Sequence, residues 1–149
     1  MTTLLENILT RVKSINAEIS GIVTSCDHTD IPNSLNTGQL PLVLPLLDEG
    51  TLTYSAGQLS ADHYNIWLCV YLSPLGQGNV AQSFSAAIPY ISKFKVRYAA
   101  ALNLDELSGV TQALLTDFRV GLLPPFDQDY IGVAIKLEVW GHEVVTTGA

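Results

Sequence analysis

Residues Tyr130–Trp140 read YIGVAIKLEVW, and their alternation constrains the fold more than any other stretch. Ile131, Val133, Ile135, Leu137 and Val139 point one way, while Gly132, Ala134, Lys136, Glu138 and Trp140 point the other. A repeat of two is the repeat of a pleated strand, and β-branched residues suit it. Upstream, Thr116–Leu123 (TDFRVGLL) is a second strand candidate, led into by Val110–Leu115. Between the two, Pro124, Pro125, Asp127 and Asp129 supply turn chemistry. The pattern predicts a long antiparallel hairpin near the C-terminus, with one face on a core and a polar tail over Trp140–Ala149 in which His142 is exposed.

A second apolar strand, His63–Leu72 (HYNIWLCVYL), differs in having no polar side. Tyr64, Ile66, Leu68, Val70 and Leu72 share one face; Trp67, Cys69 and Tyr71 share the other. Both faces must be covered, by helices or by a neighbouring subunit, because an open Trp–Tyr face is an association patch. Leu40–Leu47 (LPLVLPLL) carries Pro41 and Pro45, and proline lacks the N–H a ladder needs, so this is an edge strand. Asp48–Gly50 reads as a turn, Thr51–Ser55 as a short strand and Ala56–Asp62 as another turn.

Two helices are expected. Thr3 and Glu6 form a capping-box pattern, followed by Leu4, Leu5, Ile8, Val12, Ile15 and Ile19 at helical spacing. This gives a helix over Leu4–Ile19, closed by Gly21. Proline is tolerated in the first helical turn, so the second helix is placed at Pro89–Leu102, with Ile91, Phe94, Tyr98 and Leu102 inward. Lys93, Lys95 and Arg97 lie on its other sides, either as a solvated helix face or as a patch that docks an acidic surface of a neighbouring copy. Ser73–Ala87, rich in Gly, Ser, Gln and Ala, is then a long loop that orders against a partner. Asn103–Gly109 is a turn segment.

The 149 residues suit one domain, residues 1–149, large enough for a core of its own. Charged residues make up only 14% against about a quarter in an ordinary globular chain, which points to surface covered by partners. The net charge of −7 argues against a phosphate-gripping surface. Two cysteines, Cys26 and Cys69, make no disulfide framework and are read as reduced thiols. No cationic leader or run of ~20 apolar residues appears, so a soluble protein made in a cytoplasm is expected.

Catalytic signatures are missing: there is no GxSxG elbow, HExxH, P-loop or Cys–His arrangement. Cys26, Asp27, His28 and Asp30 crowd into the irregular stretch Ile22–Gln39, with Asp62 and His63 as further ligand types. Their spacing matches no metal pattern, and they are read as a solvated loop with Asx turns. Gly76 and Gly78 alone do not make a nucleotide fingerprint. Neither an enzyme nor a cofactor is therefore expected. The element order predicts an α+β fold: a small antiparallel or mixed β-sheet flanked by two helices, ending in the C-terminal β-hairpin.

That order, together with Ile88–Pro89, Leu107–Gly109, Thr116–Gly121 and Tyr130–Val139, resembles the tail-terminator or tail-completion proteins of long-tailed bacteriophages. The resemblance implies a structural virion protein, assembled in the host cytoplasm as a ring that is commonly hexameric. Such a ring caps the head-proximal end of the tail tube and joins the tail to the head. Its implied partners are other copies of itself, the tail tube protein, the head–tail connector or stopper, and the sheath protein in a contractile tail; DNA passes through the lumen without specific binding. Contact candidates on this chain are Trp67, Tyr71, Gln77, Asn79, Phe84, Lys93, Lys95, Arg97, Phe126 and Asp127. Alternative roles are a head-completion stopper, a tube subunit or a baseplate part, although the strand count looks short for a tube subunit. A small metal-dependent enzyme stands behind these.

Overall fold

A computed structural model describes residues 3–55, 59–74, 80–123 and 129–145. The fold is α+β. Two helices, α1 (Leu4–Ala17) and α2 (Val80–Ala99), accompany a five-stranded sheet. The strands are β1 (Thr24–Ser25), β2 (Leu42–Ser55), β3 (Leu59–Pro74), β4 (Val110–Leu123) and β5 (Tyr130–Val144), in the order β1-β2-β3-β5-β4. The four long strands alternate antiparallel; β1 adds a two-residue parallel pair at one edge, which makes the sheet mixed.

Helix α1 begins as its capping box dictates. The Thr3 hydroxyl accepts from the Glu6 N–H, and the Glu6 carboxylate accepts from the Thr3 N–H. Leu4, Ile8, Val12 and Ile15 are buried against the sheet, and the helix stops at Ala17, two residues short of Ile19. Gly21 follows at φ +94°, a conformation glycine adopts without penalty.

Helix α2 overturns the expected loop over Ser73–Ala87. It starts at Val80, and Pro89 lies inside it. Ser83, Ala87, Tyr90, Phe94 and Tyr98 are buried at spacings of three and four, so a single buried stripe runs straight through the proline. Pro89 and Ser85, whose carbonyl the missing N–H would have met, both lie on the exposed side, where water can take that carbonyl. The inward residues also differ from expectation. Phe94 and Tyr98 are buried, Ile91 is half-buried and Leu102 is exposed.

The strands are longer than the sequence suggested. Asp48–Gly50 is not a turn: one extra residue bulges between Leu47 and Gly50, and β2 runs on to Ser55. Strand β3 starts at Leu59, within the expected turn, and β5 continues to Val144, through the expected polar tail. The expected face assignments hold. Tyr64, Ile66, Leu68 and Val70 join Val133, Ile135, Leu137 and Val139 under both helices. Cys69 and Tyr71 lie on the opposite face with Leu42, Leu44, Tyr130 and Ala134. That second face is covered by the chain itself, through Cys26, Leu35 and Leu40 of the segment that crosses it.

The expected turn after α2 has unusual backbone. Leu104, Asp105 and Glu106 stand at φ +54°, +56° and +62° in succession. Each such residue costs ~1 kcal/mol or more. Leu104 is fully buried, and the Arg11 guanidinium donates to the Leu104 and Asp105 carbonyls at 2.7 and 3.0 Å, which holds the turn in place.

Two expectations follow. A Cβ built on Gly132 would lie 1.9 Å from the Val70 carbonyl oxygen and 2.8 Å from Leu123 Cδ1, so Gly132→Ala should cost about 3 kcal/mol or more in urea unfolding. Glu106 is exposed with positive φ, so Glu106→Gly should stabilise by about 0.5–1 kcal/mol, read as a higher Tm.

Candidate functional surface

The face of the sheet opposite the helices carries most of the polar chemistry. At the β2–β3 end, His63 Nε2 lies 2.8 Å from Glu138 Oε1, and its ring stacks on Trp140 at 4.6 Å and 8°. The Thr116 hydroxyl and then His63 hydrogen-bond Glu138 and hold its carboxyl below the usual range. Nearer the middle, the Trp67 indole N–H donates to Asp48 at 3.3 Å, and the Arg119 guanidinium sits 6.0 Å from the Trp67 ring. Arg119 is opposite Ala134 on β5, and over that small side chain it reaches diagonally to Trp67, which is opposite Lys136. Below Arg119, a cavity of about 170 Å³ is lined by Leu46, Trp67, Cys69, Leu123 and Ala134.

The side chains of this face are laced to one another across the strands. His63 and Glu138 are flanked by a stacked indole, beside a shallow hollow of about 320 Å³ lined by Thr51, Thr53, His63, Thr111 and Trp140. Burial pushes the Cys69 thiol up to about 12, which leaves it a poor nucleophile. Cys26 is also buried and raised.

The loop considered for metal binding is held by its own bonds. Asp27 accepts from the Thr29 hydroxyl and N–H at 2.6 and 2.8 Å, an Asx turn that lowers the Asp27 carboxyl. Asp30 pairs with Lys13 at 2.6 Å and accepts from the Asp27 N–H. Asp62 takes bonds from Ser60 and Tyr64 on the helix side of β3, while the neighbouring His63 faces the other way. Among the described residues no three His, Cys, Asp or Glu gather as a metal site.

The expected contact residues fare unevenly. Gln77, Asn79, Phe126 and Asp127 lie outside the described residues. Trp67 is half-buried on the open face, Phe84 is exposed on α2, and Lys95 is exposed beside a groove lined by Leu102 and Leu115. Tyr71 is corrected: it is fully buried, with Tyr130 packed edge-on at 5.9 Å, so it cannot meet a neighbour. The basic patch is also largely spent within the chain. Arg97 bridges Glu18 at 2.8 Å and Asp105 at 2.7 Å, and Lys93 donates to the Ser20 carbonyl while lying over the Tyr90 ring. These bonds fasten α2 to the end of α1 and to the left-handed turn.

Sequence reasoning missed the exposed apolar residues along the sheet's two outer strands. Leu47, Leu52 and Tyr54 on β2, and Phe118 and Leu122 on β4, are 48–66% exposed. Both strands are edges, apart from the short β1 pairing at Leu42–Val43 and the Ala113 N–H on β4, which donates to the Leu102 carbonyl at 2.6 Å. The residues were visible, but which strands would be edges depends on chain order in the sheet.

No protein-family model matches the chain, and no curated protein matches it either. Among the described residues no helix is long and apolar enough to cross a membrane.

The bonded carboxyls give a pH dependence. Asp27, Asp105 and Glu138 are all lowered, Asp105 chiefly by its hydrogen bond from Arg97. Their stabilisation is complete above the ordinary values of 3.8 and 4.5 and is lost as pH falls through the lower folded values. Glu138→Gln should therefore be less stable than the parent at neutral pH. The gap should close as both are titrated below about pH 4, followed by urea midpoints.

Proposed function

We propose that this chain is a structural protein that acts by closing into a ring with copies of itself, as a tail-terminator-like component at the head-proximal end of a bacteriophage tail tube. The observation that carries this reading is the pair of open sheet edges. Strands β2 and β4 are each 14 residues long, and both expose large apolar side chains. Long apolar edges are association sites in a lone subunit, and closure on neighbours removes them. The low charge fits the same reading, since a ring covers much of each subunit.

Helix–hairpin–helix–hairpin order with both helices on one sheet face agrees with what the resemblance implies. In this reading the ring caps the tube and meets the connector or stopper on its other side, and an acidic protein lets DNA pass without gripping it. A tube subunit is the next reading. Four antiparallel strands of 14, 16, 14 and 15 residues are longer than the sequence suggested, and they would serve a barrel wall.

Light scattering on the purified protein, and electron microscopy of the protein mixed with isolated phage tails, test the proposal. Self-association and particles seated on one end of the tube are expected. Extended filaments of the protein alone would favour the tube reading. Dispersed monomers that never dock would overturn both.

A further inference from the structure

We infer that neighbouring copies join edge to edge, the β4 strand of one pairing antiparallel with the β2 strand of the next, so that the sheet continues from subunit to subunit. This deepens the ring reading and rests on it. The first argument is direction. Because β2, β3, β5 and β4 alternate, the two edge strands run in opposite directions. A rotation about an axis along the strands preserves those directions, so it sets β4 of one copy antiparallel to β2 of the next and keeps the alternation unbroken.

The second argument is facial. Leu47 sits opposite Ile66, and Phe118 opposite Ile135; both partners belong to the helix-side core. By the same alternation Leu52 and Leu122 are also on the helix side. The exposed apolar residues of the two edges therefore share one face, and a continued sheet brings like against like.

The third argument is register. With Phe118 opposite Leu52, Val120 falls opposite Gly50. The extra residue between Leu47 and Gly50 then brings Leu122 opposite Leu47. The bulge thus lets both apolar pairs form at once. On the other face the same register puts Arg119 opposite Thr51, two residues from Glu49 and three from Asp48. A guanidinium reaches that far diagonally, and β2 itself carries no basic residue. Antiparallel pairing of β4 with a second β4 would leave the β2 apolar residues uncovered.

Cross-linking decides it. Phe118→Cys and Leu52→Cys are made in separate full-length chains; the native thiols are buried and raised, so the new ones react first. A short bis-maleimide should join the two variants when mixed, at least tenfold more than either alone, with light scattering run in parallel. Cross-linking of Phe118→Cys by itself would overturn the β4-to-β2 pairing in favour of a two-fold contact. Self-association without any cross-link would overturn the pairing and leave the ring reading standing. Monomers throughout would overturn both.

Discussion

The structure depends on the pairing of β3 with β5 along nearly their whole length, from Leu59 opposite Val144 to Pro74 opposite Tyr130. Strand β3 is apolar on two faces, and β5 adds Tyr130 and Ala134 to the second of them, so each face needs a cover. The helices cover one, and the segment carrying Cys26, Leu35 and Leu40 covers the other. Gly132 sits where this pair is tightest, with no room for a side chain between the Val70 carbonyl and Leu123. Helix α1 is then tied to the far end of β5, where Glu143 accepts from the Leu4 N–H at 2.7 Å. A carboxylate at a helix N-terminus satisfies an otherwise unpaired donor and meets the positive end of the helix dipole.

Much of this was legible in the residues because the signals are local. The alternation at Tyr130–Trp140, the two-faced strand at His63–Leu72 and the capping box at Thr3 each fix their element within a few residues. The failures are places where distant packing outweighed a local signal. Pro89 looked like a helix start, yet the buried stripe from Ser83 to Tyr98 outweighs one lost hydrogen bond on a solvated side. Asp48–Gly50 looked like a turn, yet Leu47 and Gly50 both keep their partners on β3 and the ladder absorbs the extra residue. Arg97 looked free because Glu18 lies 79 residues away in the sequence. The surface was least legible, since an apolar residue on a strand gives no sign of whether that strand is central or an edge.

The charged groups mostly hold this chain to itself. Lys13, Lys93 and Arg97 have partners within the fold, Arg11 caps backbone carbonyls of the left-handed turn, and Arg119 lies over Trp67. A surface so short of free cations has little to offer a phosphate backbone. What the surface does offer is exposed apolar side chains and the backbone of two edge strands.

Unpaired backbone is what the edges offer over part of their length, and their defences are uneven. Lone subunits usually protect an edge strand with lysines, prolines, inward charges or brevity. Strand β2 has Pro45, Asp48, Glu49 and the bulge before Gly50; β4 has Asp117, Arg119 and two irregularities before Phe118, with no proline and no lysine, so the apolar run from Phe118 to Leu123 is its least protected part. Both strands are more than twice the mean strand length of about 5–6 residues. An edge left this open invites addition of another strand, and the outcome turns on geometry. If each added copy turns the sheet by a fixed fraction of a circle, addition ends when the last β2 meets the first β4 and no edge remains. If the turn does not close, the same contacts propagate as a filament. A protein whose role is to end a polymer needs the first behaviour. The rotation between copies, set by sheet twist and by how α2 crowds the β4 edge, is therefore the property that separates a cap from a tube.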